Sequence, residues 1–372
     1  MMNDELLMIP GPVPVLPRIR NAMSKPMIYH RGEEFRAMYE EIVATLKWIF
    51  QTRNDLFVLS GSGTCAMEAA MGNLVRKDTP VVSIANGKFG ERLVEIGNRY
   101  SDNVTPVNFE WGSPIELEEV KAAMEEKHPQ VVTMVHNETS TGILNPAEAI
   151  ARLTRKYNAI FVLDCITSIG GYEVPVDDWG VDIAIVGSQK CLGAPPGLSA
   201  ISVSERAWKM MLGDNDNSES RERPYYMDLI AYRDSFEKGQ TPYTPALPLF
   251  FALREALEVI KEEGMAKRVE RHRRLADTLR SAVTNLGLSL FPRLNDVSAY
   301  SNTVTAIKVP EWLDDAHLRG GMRERGVMVA GGQGKLKGKI FRIATMGNIT
   351  EGEVSRTIQA LESALRGRRR EE

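Results

Sequence analysis

The sequence predicts an α/β protein with a mainly parallel sheet that is covered by helices on both sides. Apolar segments at 56–59, 81–84, 131–135, 160–163, 183–186 and 198–203 alternate with segments of helical periodicity. Strands that are apolar on both faces and separated by helices are typical of such a sheet. The length of 372 residues exceeds the usual size of one hydrophobic core, so we expect two domains or a large domain with an appendage.

The chain opens with a proline-rich stretch that ends at Pro17. We assign residues 1–17 to an N-terminal segment that lies near the active site. A helix is predicted over 33–50, because apolar side chains recur there at helical spacing: Phe35, Met38, Ile42, Leu46 and Ile49.

The pattern changes in the C-terminal third of the chain. From about Pro248 a long helical pattern runs past Gly264 to Leu286, and strand-like segments then follow at 303–309, 326–330 and 339–343. We therefore expect a large domain at 18–255 and a smaller C-terminal α+β domain at 256–372.

Composition excludes several functional classes. The net charge of −3 argues against a general nucleic-acid surface. Cys65, Cys165 and Cys191 are too few and too scattered for a disulfide framework, and they form no CxxC pair, so we expect no metal site. The sequence has neither a signal peptide pattern nor an apolar run long enough to span a bilayer. We expect a cytoplasmic protein without nucleic-acid or membrane partners.

Polar residues follow the predicted strands at their carboxyl ends, where ligands gather in parallel α/β sheets. The first strand ends in 60–64 (Ser-Gly-Ser-Gly-Thr), and later strands end in 136–139 (His-Asn-Glu-Thr), in Asp164 and in 187–190 (Gly-Ser-Gln-Lys). Each feature alone has an ordinary interpretation: the glycine loop as a turn, Asp164 as a helix cap and Lys190 as a solvated side chain.

Taken together, these strand ends have a joint chemical meaning. A lysine forms a Schiff base with an aldehyde, an aspartate pairs with a pyridinium nitrogen, and a loop that opens a helix binds a phosphate. Lys190, Asp164 and the 60–64 loop therefore point to pyridoxal 5'-phosphate.

A dinucleotide is the main alternative, because Gly61 to Ala66 matches the GxGxxA fingerprint. That fingerprint requires an acidic residue about 20 positions further on, at the end of the next strand, where it holds the ribose. Here the strand at 81–84 is followed by Ala85-Asn-Gly-Lys88, which contains no carboxylate. The sequence thus argues against NAD.

The sequence resembles the class V aminotransferases, in particular their alanine–glyoxylate and serine–pyruvate branch, which includes archaeal aspartate aminotransferase-like members. The resemblance covers essentially the whole chain. It rests on seven segments in the family's order: 61–68, 86–91, 136–142, Asp164, 187–197, 241–245 and 341–343. It implies the fold type I of pyridoxal-phosphate-dependent transferases, with a mainly parallel seven-stranded sheet in the large, cofactor-binding domain.

The resemblance also implies roles for individual residues around the cofactor. Lys190 would carry the cofactor as a Schiff base, and Asp164 would keep the pyridine nitrogen protonated. The phosphate would be bound by Ser62, Gly63, Thr64 and Gln189. The remaining cofactor contacts would be Phe89 stacked on the ring, Ile166 on its other face and Thr139 at the phenolic oxygen.

Substrate binding and assembly are implied in the same way. Arg342 would bind the substrate α-carboxylate, a task that suits a planar guanidinium. Thr244 and Thr241 would reach the phosphate of the neighbouring subunit, which implies a homodimer with shared active sites.

The expected activity is transfer of an amino group from a small amino acid, such as alanine or serine, to a 2-oxo acid such as glyoxylate or pyruvate, with ping-pong kinetics. An aspartate-specific aminotransferase is an alternative that needs a second cation, for which Arg31 or Lys335 is a candidate; His30 and Arg31 are also candidates for the substrate entrance. A lyase or cysteine desulfurase shares the fold. A desulfurase needs a nucleophilic cysteine in the C-terminal part of the chain, and no cysteine follows Cys191.

Overall fold

A computed structural model describes residues 5–213 and 223–366 of the chain. The strands are β1 (Leu6–Met8), β2 (Asp55–Leu59), β3 (Val81–Ala85), β4 (Val104–Asn108), β5 (Val131–Val135), β6 (Asn137–Glu138), β7 (Ile143–Leu144), β8 (Ile160–Asp164), β9 (Ile183–Gly187), β10 (Ser199–Val203), β11 (Ala299–Tyr300), β12 (Val304–Lys308), β13 (Val327–Gly331) and β14 (Ile340–Ala344). The helices are α1 (Pro17–Ala22), α2 (Glu33–Phe50), α3 (Gly63–Leu74), α4 (Lys88–Tyr100), α5 (Leu117–Lys127), α6 (Ala147–Lys156), α7 (Val176–Trp179), α8 (Glu205–Leu212), α9 (Leu229–Phe236), α10 (Leu247–Glu263), α11 (Met265–Asn285), α12 (Asp315–Glu324) and α13 (Glu351–Arg366).

The large sheet has seven strands in the order β2-β10-β9-β8-β5-β3-β4. Strand β10 is antiparallel to both of its neighbours, and the other pairings are parallel. Strands β3, β5, β8 and β9 are buried along their whole length, as expected for a sheet covered on both faces. The predicted α/β fold with a mainly parallel sheet is confirmed.

Strand β4 was not among the predicted strands. Its sequence, Val-Thr-Pro-Val-Asn, is only partly buried, and Pro106 interrupts the apolar pattern. The strand lies at the edge of the sheet, where a proline is tolerated because no further strand needs its N–H group.

The second sheet has four strands in the order β1-β13-β14-β12. The N-terminal strand β1 pairs in parallel with β13, with Leu6 opposite Val327. The chain then passes the carboxyl edge of the large sheet before α1 packs against α10. The N-terminal segment thus links the two sheets.

Three large buried clusters form most of the core of the described residues. Helices α2 and α10 pack on one face of the large sheet, through Phe35, Tyr39 and Phe250 among others. Helix α3 packs on the other face, and a third cluster lies between the four-stranded sheet and helices α11 to α13. Helix α10 continues through the predicted domain limit at 255–256 without a break, and the limits 1–17, 18–255 and 256–372 stay a prediction.

Strand register brings three predicted site segments together at one edge. Val135, at the end of β5, lies opposite Asp164, at the end of β8, and Asp164 lies opposite Ile185 of β9. The chain continues from β9 into Lys190. Within residues 5–213 and 223–366, no helix combines the length and the apolar character that crossing a bilayer requires.

Candidate active site

A cavity opens at the carboxyl edge of the large sheet. Nine of the twelve residues predicted for the site line this cavity. The full lining is Ser62, Gly63, Thr64, Phe89, Arg92, Val135, Asn137, Thr139, Asp164, Ile166, Thr167, Gln189 and Lys190.

The loop after β2 delivers an anion-binding helix end. Helix α3 begins at Gly63, and the side chain of Ser62 makes no capping hydrogen bond at this end. The first N–H groups of a helix attract anions, because they lack partners within the helix and lie at the positive end of its dipole. Gly63 lies close to the cavity wall, since an added Cβ would lie 2.5 Å from Cδ1 of Ile166 and would force that side chain to shift.

Gln189 presents a further unmet polar group. Its amide oxygen is buried and has no hydrogen-bond partner among the described residues. Buried polar groups in native proteins are nearly always paired, so this amide is suited to a polar ligand in the cavity. Rotation of the amide presents its NH₂ group, the donor that a phosphate needs.

Asp164 is nearly fully buried at the end of β8, and its Oδ1 accepts a hydrogen bond of 2.8 Å from the N–H of Ile166. Burial raises the pKa of this carboxyl to about 7; the nearby Glu138 adds to the rise, while Arg92 and Lys190 oppose it. A buried carboxyl of this kind gains most from a cationic partner. It therefore fits the protonated nitrogen of a pyridine ring.

Lys190 follows β9, and its Nζ donates a hydrogen bond to the carbonyl oxygen of Pro10. Burial lowers the pKa of its ammonium group to about 8. A lowered pKa makes the neutral, nucleophilic amine accessible near neutral pH. Gly11 completes this side of the site, where an added Cβ would lie 2.5 Å from the Lys190 Nζ.

Glu138 is a buried carboxylate. Its structural role could not be predicted from the sequence. Its Oε2 accepts hydrogen bonds from the N–H groups of Phe89 (2.9 Å) and Gly90 (3.0 Å), and its Oε1 accepts from the N–H (3.0 Å) and hydroxyl (2.6 Å) of Ser140. Glu138 thereby holds the first turn of α4, which carries Phe89 into the cavity.

Arg342 lies in the middle of β14 and is almost fully buried. Its Nη1 donates to the carbonyl oxygen of Thr139 at 3.0 Å, which places the guanidinium directly behind a residue of the cavity wall. Burial lowers its pKa to about 10, so the side chain stays cationic at neutral pH.

Thr241 and Thr244 do not line the cavity. The Thr241 hydroxyl donates to the carbonyl oxygen of Tyr243 at 2.7 Å, and Thr244 is exposed on the surface. Arg31 and Lys335 are also outside the cavity. The first donates to the amide oxygen of Gln240 at 2.7 Å, and the second lies 4.4 Å from the centre of a Trp111 ring and 3.6 Å from Glu91.

Arg92, Asn137 and Thr167 line the cavity although the sequence did not single them out. Asn137 donates to both the carbonyl oxygen and the hydroxyl of Thr167, at 3.1 and 3.0 Å. Arg92 follows Phe89 by three positions on α4, a spacing that puts both side chains on one helix face. That spacing is the signal by which sequence reasoning would have found it.

An α/β sheet whose carboxyl edge joins a buried lysine, a buried aspartate and an open helix N-terminus defines a pyridoxal-phosphate-dependent enzyme of fold type I. The chain belongs to the class-V aminotransferase family, whose sequence model matches residues 18–344. It is therefore an aminotransferase, and pyridoxal 5'-phosphate is its cofactor.

Individual relatives agree with this family. An uncharacterized aminotransferase of Methanocaldococcus jannaschii is 42% identical over 97% of this chain and 93% of its own length. The alanine–glyoxylate aminotransferase of Oryctolagus cuniculus is 35% identical over 97% of this chain and 92% of its own. The crystal structure of an alanine–glyoxylate aminotransferase from Nostoc sp. superimposes with a TM-score of 0.90 at 33% identity, over 97% of this chain and 95% of the other.

Proposed function

We propose that this aminotransferase moves the amino group of a small amino acid, such as alanine or serine, to a 2-oxo acid such as glyoxylate or pyruvate. The proposal rests on one observation: the cavity at the sheet edge joins Lys190, Asp164 and the start of α3, and Arg342 lies behind Thr139. The two relatives named for alanine and glyoxylate support this choice of substrates.

The cofactor would be held mainly through its phosphate and its ring. Ser62, Gly63, Thr64 and Gln189 would donate hydrogen bonds to the phosphate, Thr139 would donate to the phenolic oxygen, and Phe89 and Ile166 would supply apolar contacts to the ring. When bound, pyridoxal phosphate supplies an electron sink for the negative charge that develops at the substrate Cα.

The chain's own residues would then control charge and protons. The Asp164 carboxylate would hold a proton on the ring nitrogen that faces it. Arg342 would fix the substrate carboxylate, which orients Cα toward the Lys190 Nζ. Lys190 would first carry the cofactor and then remove and return the Cα proton as general base and acid, a task for which its lowered pKa suits it.

The positions of Arg31 and Lys335 favour a small donor over aspartate. A second carboxylate needs a second cation, and Arg31 and Lys335 lie outside the cavity with partners of their own: Gln240 for the first, Trp111 and Glu91 for the second. Aspartate is therefore the second candidate donor.

A donor and acceptor panel tests this function. Alanine, serine and aspartate are each combined with glyoxylate, pyruvate and 2-oxoglutarate, with Lys190→Ala as the blank. We expect the highest kcat/KM for alanine or serine with glyoxylate or pyruvate, and parallel lines in double-reciprocal plots. A tenfold preference for aspartate with 2-oxoglutarate would refute the substrate proposal, and release of ammonia without an acceptor would indicate a lyase.

A further inference from the structure

Arg92 is a cation in the cavity wall that the roles above leave unused. It projects from α4, with its guanidinium carbon 4.8 Å from the centre of the Phe89 ring. Its Nη1 lies 3.4 Å from the hydroxyl of Thr64, in the first turn of α3. Within residues 5–213 and 223–366 it forms no ion pair at 4 Å or less.

The charges around the cavity are unbalanced without Arg92. A bound phosphate monoester carries a charge of about −1.5 to −2 at pH 7, and Asp164 and Glu138 add buried carboxyl groups. The Lys190 amine is committed to the aldehyde end of the cofactor, and Arg342 is turned toward the carbonyl oxygens of Gly331 and Thr139. Among the residues that the structure describes around the cavity, Arg92 is then the cation that remains for the phosphate.

The position of Arg92 is fixed before any ligand binds. Glu138 holds the N–H groups of Phe89 and Gly90, one turn before Arg92 on the same helix. The Phe89 ring also makes a cation–π contact with the Arg92 guanidinium, which further restricts its position. A preorganised guanidinium binds a phosphate more strongly than neutral donors do, because the hydrogen bonds are charge-assisted.

We propose that Arg92 binds the cofactor phosphate, next to Thr64, as the charged member of the phosphate site. This inference rests on the proposed position of the phosphate at the start of α3. If it is correct, the contribution of Arg92 to cofactor affinity depends on the phosphate group and not on the pyridine ring.

The test compares two ligands that differ only in that group. The full-length protein is freed of cofactor, and the dissociation constants of pyridoxal phosphate and of pyridoxal are measured by equilibrium dialysis for the wild type, Arg92→Gln and Arg92→Lys. We expect Arg92→Gln to weaken pyridoxal phosphate by about 10- to 100-fold and pyridoxal by less than twofold. Arg92→Lys should recover part of the loss, because lysine keeps the positive charge but lacks the bidentate geometry of the guanidinium.

Lys88→Gln is the matched control. Lys88 begins the same helix, but its Nζ lies 3.6 Å from Glu95 and outside the cavity lining, so both dissociation constants should stay unchanged. Thermal unfolding of the cofactor-free variants checks that the substitutions leave the fold intact.

Three outcomes would overturn the inference. Equal weakening of both ligands would mean that Arg92 acts through Phe89 alone. Unchanged affinity for both would remove Arg92 from the site. Unchanged cofactor affinity with a raised KM only for aspartate or 2-oxoglutarate would make Arg92 a substrate cation. Failure of the wild type to bind pyridoxal phosphate would instead refute the proposed function.

Discussion

Arg342 donates two hydrogen bonds to the carbonyl oxygen of Gly331, from Nε at 3.0 Å and from Nη2 at 2.8 Å. Together with the bond from Nη1 to Thr139, these contacts fix the plane of the guanidinium against two backbone segments. A guanidinium that is oriented before the substrate arrives loses little freedom when a carboxylate binds. This fixed orientation is the one that the proposed binding of a substrate carboxylate by Arg342 would use.

Replacing Arg342 by lysine tests this orientation. The ammonium keeps the charge but cannot bind both carbonyl oxygens and a carboxylate in one plane. We predict a fall in kcat/KM for every amino acid donor by about 10²- to 10³-fold, within the range for breaking one charged, buried contact. Steady-state kinetics measures this loss, and a cofactor dissociation constant that changes as much as kcat/KM would contradict the assignment to substrate binding.

Asp164 makes the stability of the cofactor-free protein depend on pH. Its pKa in the folded protein is about 7, against 3.8 for the ordinary carboxyl. Between these values the folded state keeps a proton that the unfolded state releases, so stability is lost as the pH rises from about 4 to 7. Asp164→Asn lacks this proton equilibrium.

We therefore compare the unfolding free energies of cofactor-free Asp164→Asn and cofactor-free wild type. We predict that the difference shifts by about 1 to 3 kcal/mol in favour of Asp164→Asn when the pH is raised from 5 to 8. Urea unfolding of both proteins at the two pH values measures the difference. A constant difference would mean that the Asp164 carboxyl titrates normally.

Glu138→Gln should disturb the site through the backbone. The amide replaces one acceptor oxygen by an NH₂ group, which then faces two donors, either the N–H groups of Phe89 and Gly90 or both donors of Ser140. Unsatisfied buried donors cost about 1 to 3 kcal/mol each, so we predict a loss of about 2 to 4 kcal/mol in unfolding free energy and weaker cofactor binding.

Glu95→Gln is the control for Glu138. Glu95 lies on the same helix, and its exposed side chain pairs, among the described parts of the chain, with Lys88 alone. This substitution should change stability by less than about 0.5 kcal/mol. Equal effects of the two substitutions in urea unfolding would contradict the role of Glu138 in holding the first turn of α4.

Subunit mixing tests the prediction that Thr244 serves the neighbouring site. Thr244→Glu would place an anion against the partner's phosphate and abolish activity. Mixed dimers of Thr244→Glu and Lys190→Ala should regain one intact site. If each site takes Lys190 from one subunit and Thr244 from the other, both substitutions fall in the same site and leave the second site unchanged. Mixed dimers of Asp164→Ala and Lys190→Ala should stay inactive, since those residues line one cavity of the same chain. Inactive Thr244→Glu mixtures would contradict a shared site.

The sequence was informative where a buried strand ends in a polar residue. Strands β5, β8 and β9 are buried throughout and mostly apolar. Their limits, and the polar residues Asp164 and Lys190 at or after their ends, could therefore be predicted without any long-range information. Register then follows from parallel pairing, which brings strand ends to a common edge.

Other features depend on contacts between distant parts of the chain. Strand β1 has three residues, and its partner β13 lies over 300 positions away, so no local pattern predicts the pairing. Lys335 lies in a short 3-10 helix (Gly334–Leu336) and Arg31 in a loop, and their partners Trp111 and Gln240 are set by tertiary packing. The strand ends give no sign of Arg92, because this residue reaches the cavity from a helix.

The bond between Lys190 and the cofactor is the central claim, and chemical trapping tests it most directly. The protein with bound pyridoxal phosphate is reduced with borohydride, digested and analysed by mass spectrometry. We predict a phosphopyridoxyl group on the peptide that contains Lys190, with no visible absorbance and no trapped group in Lys190→Ala. A trapped group on another lysine, or a yellow Lys190→Ala protein that resists dialysis, would contradict the account.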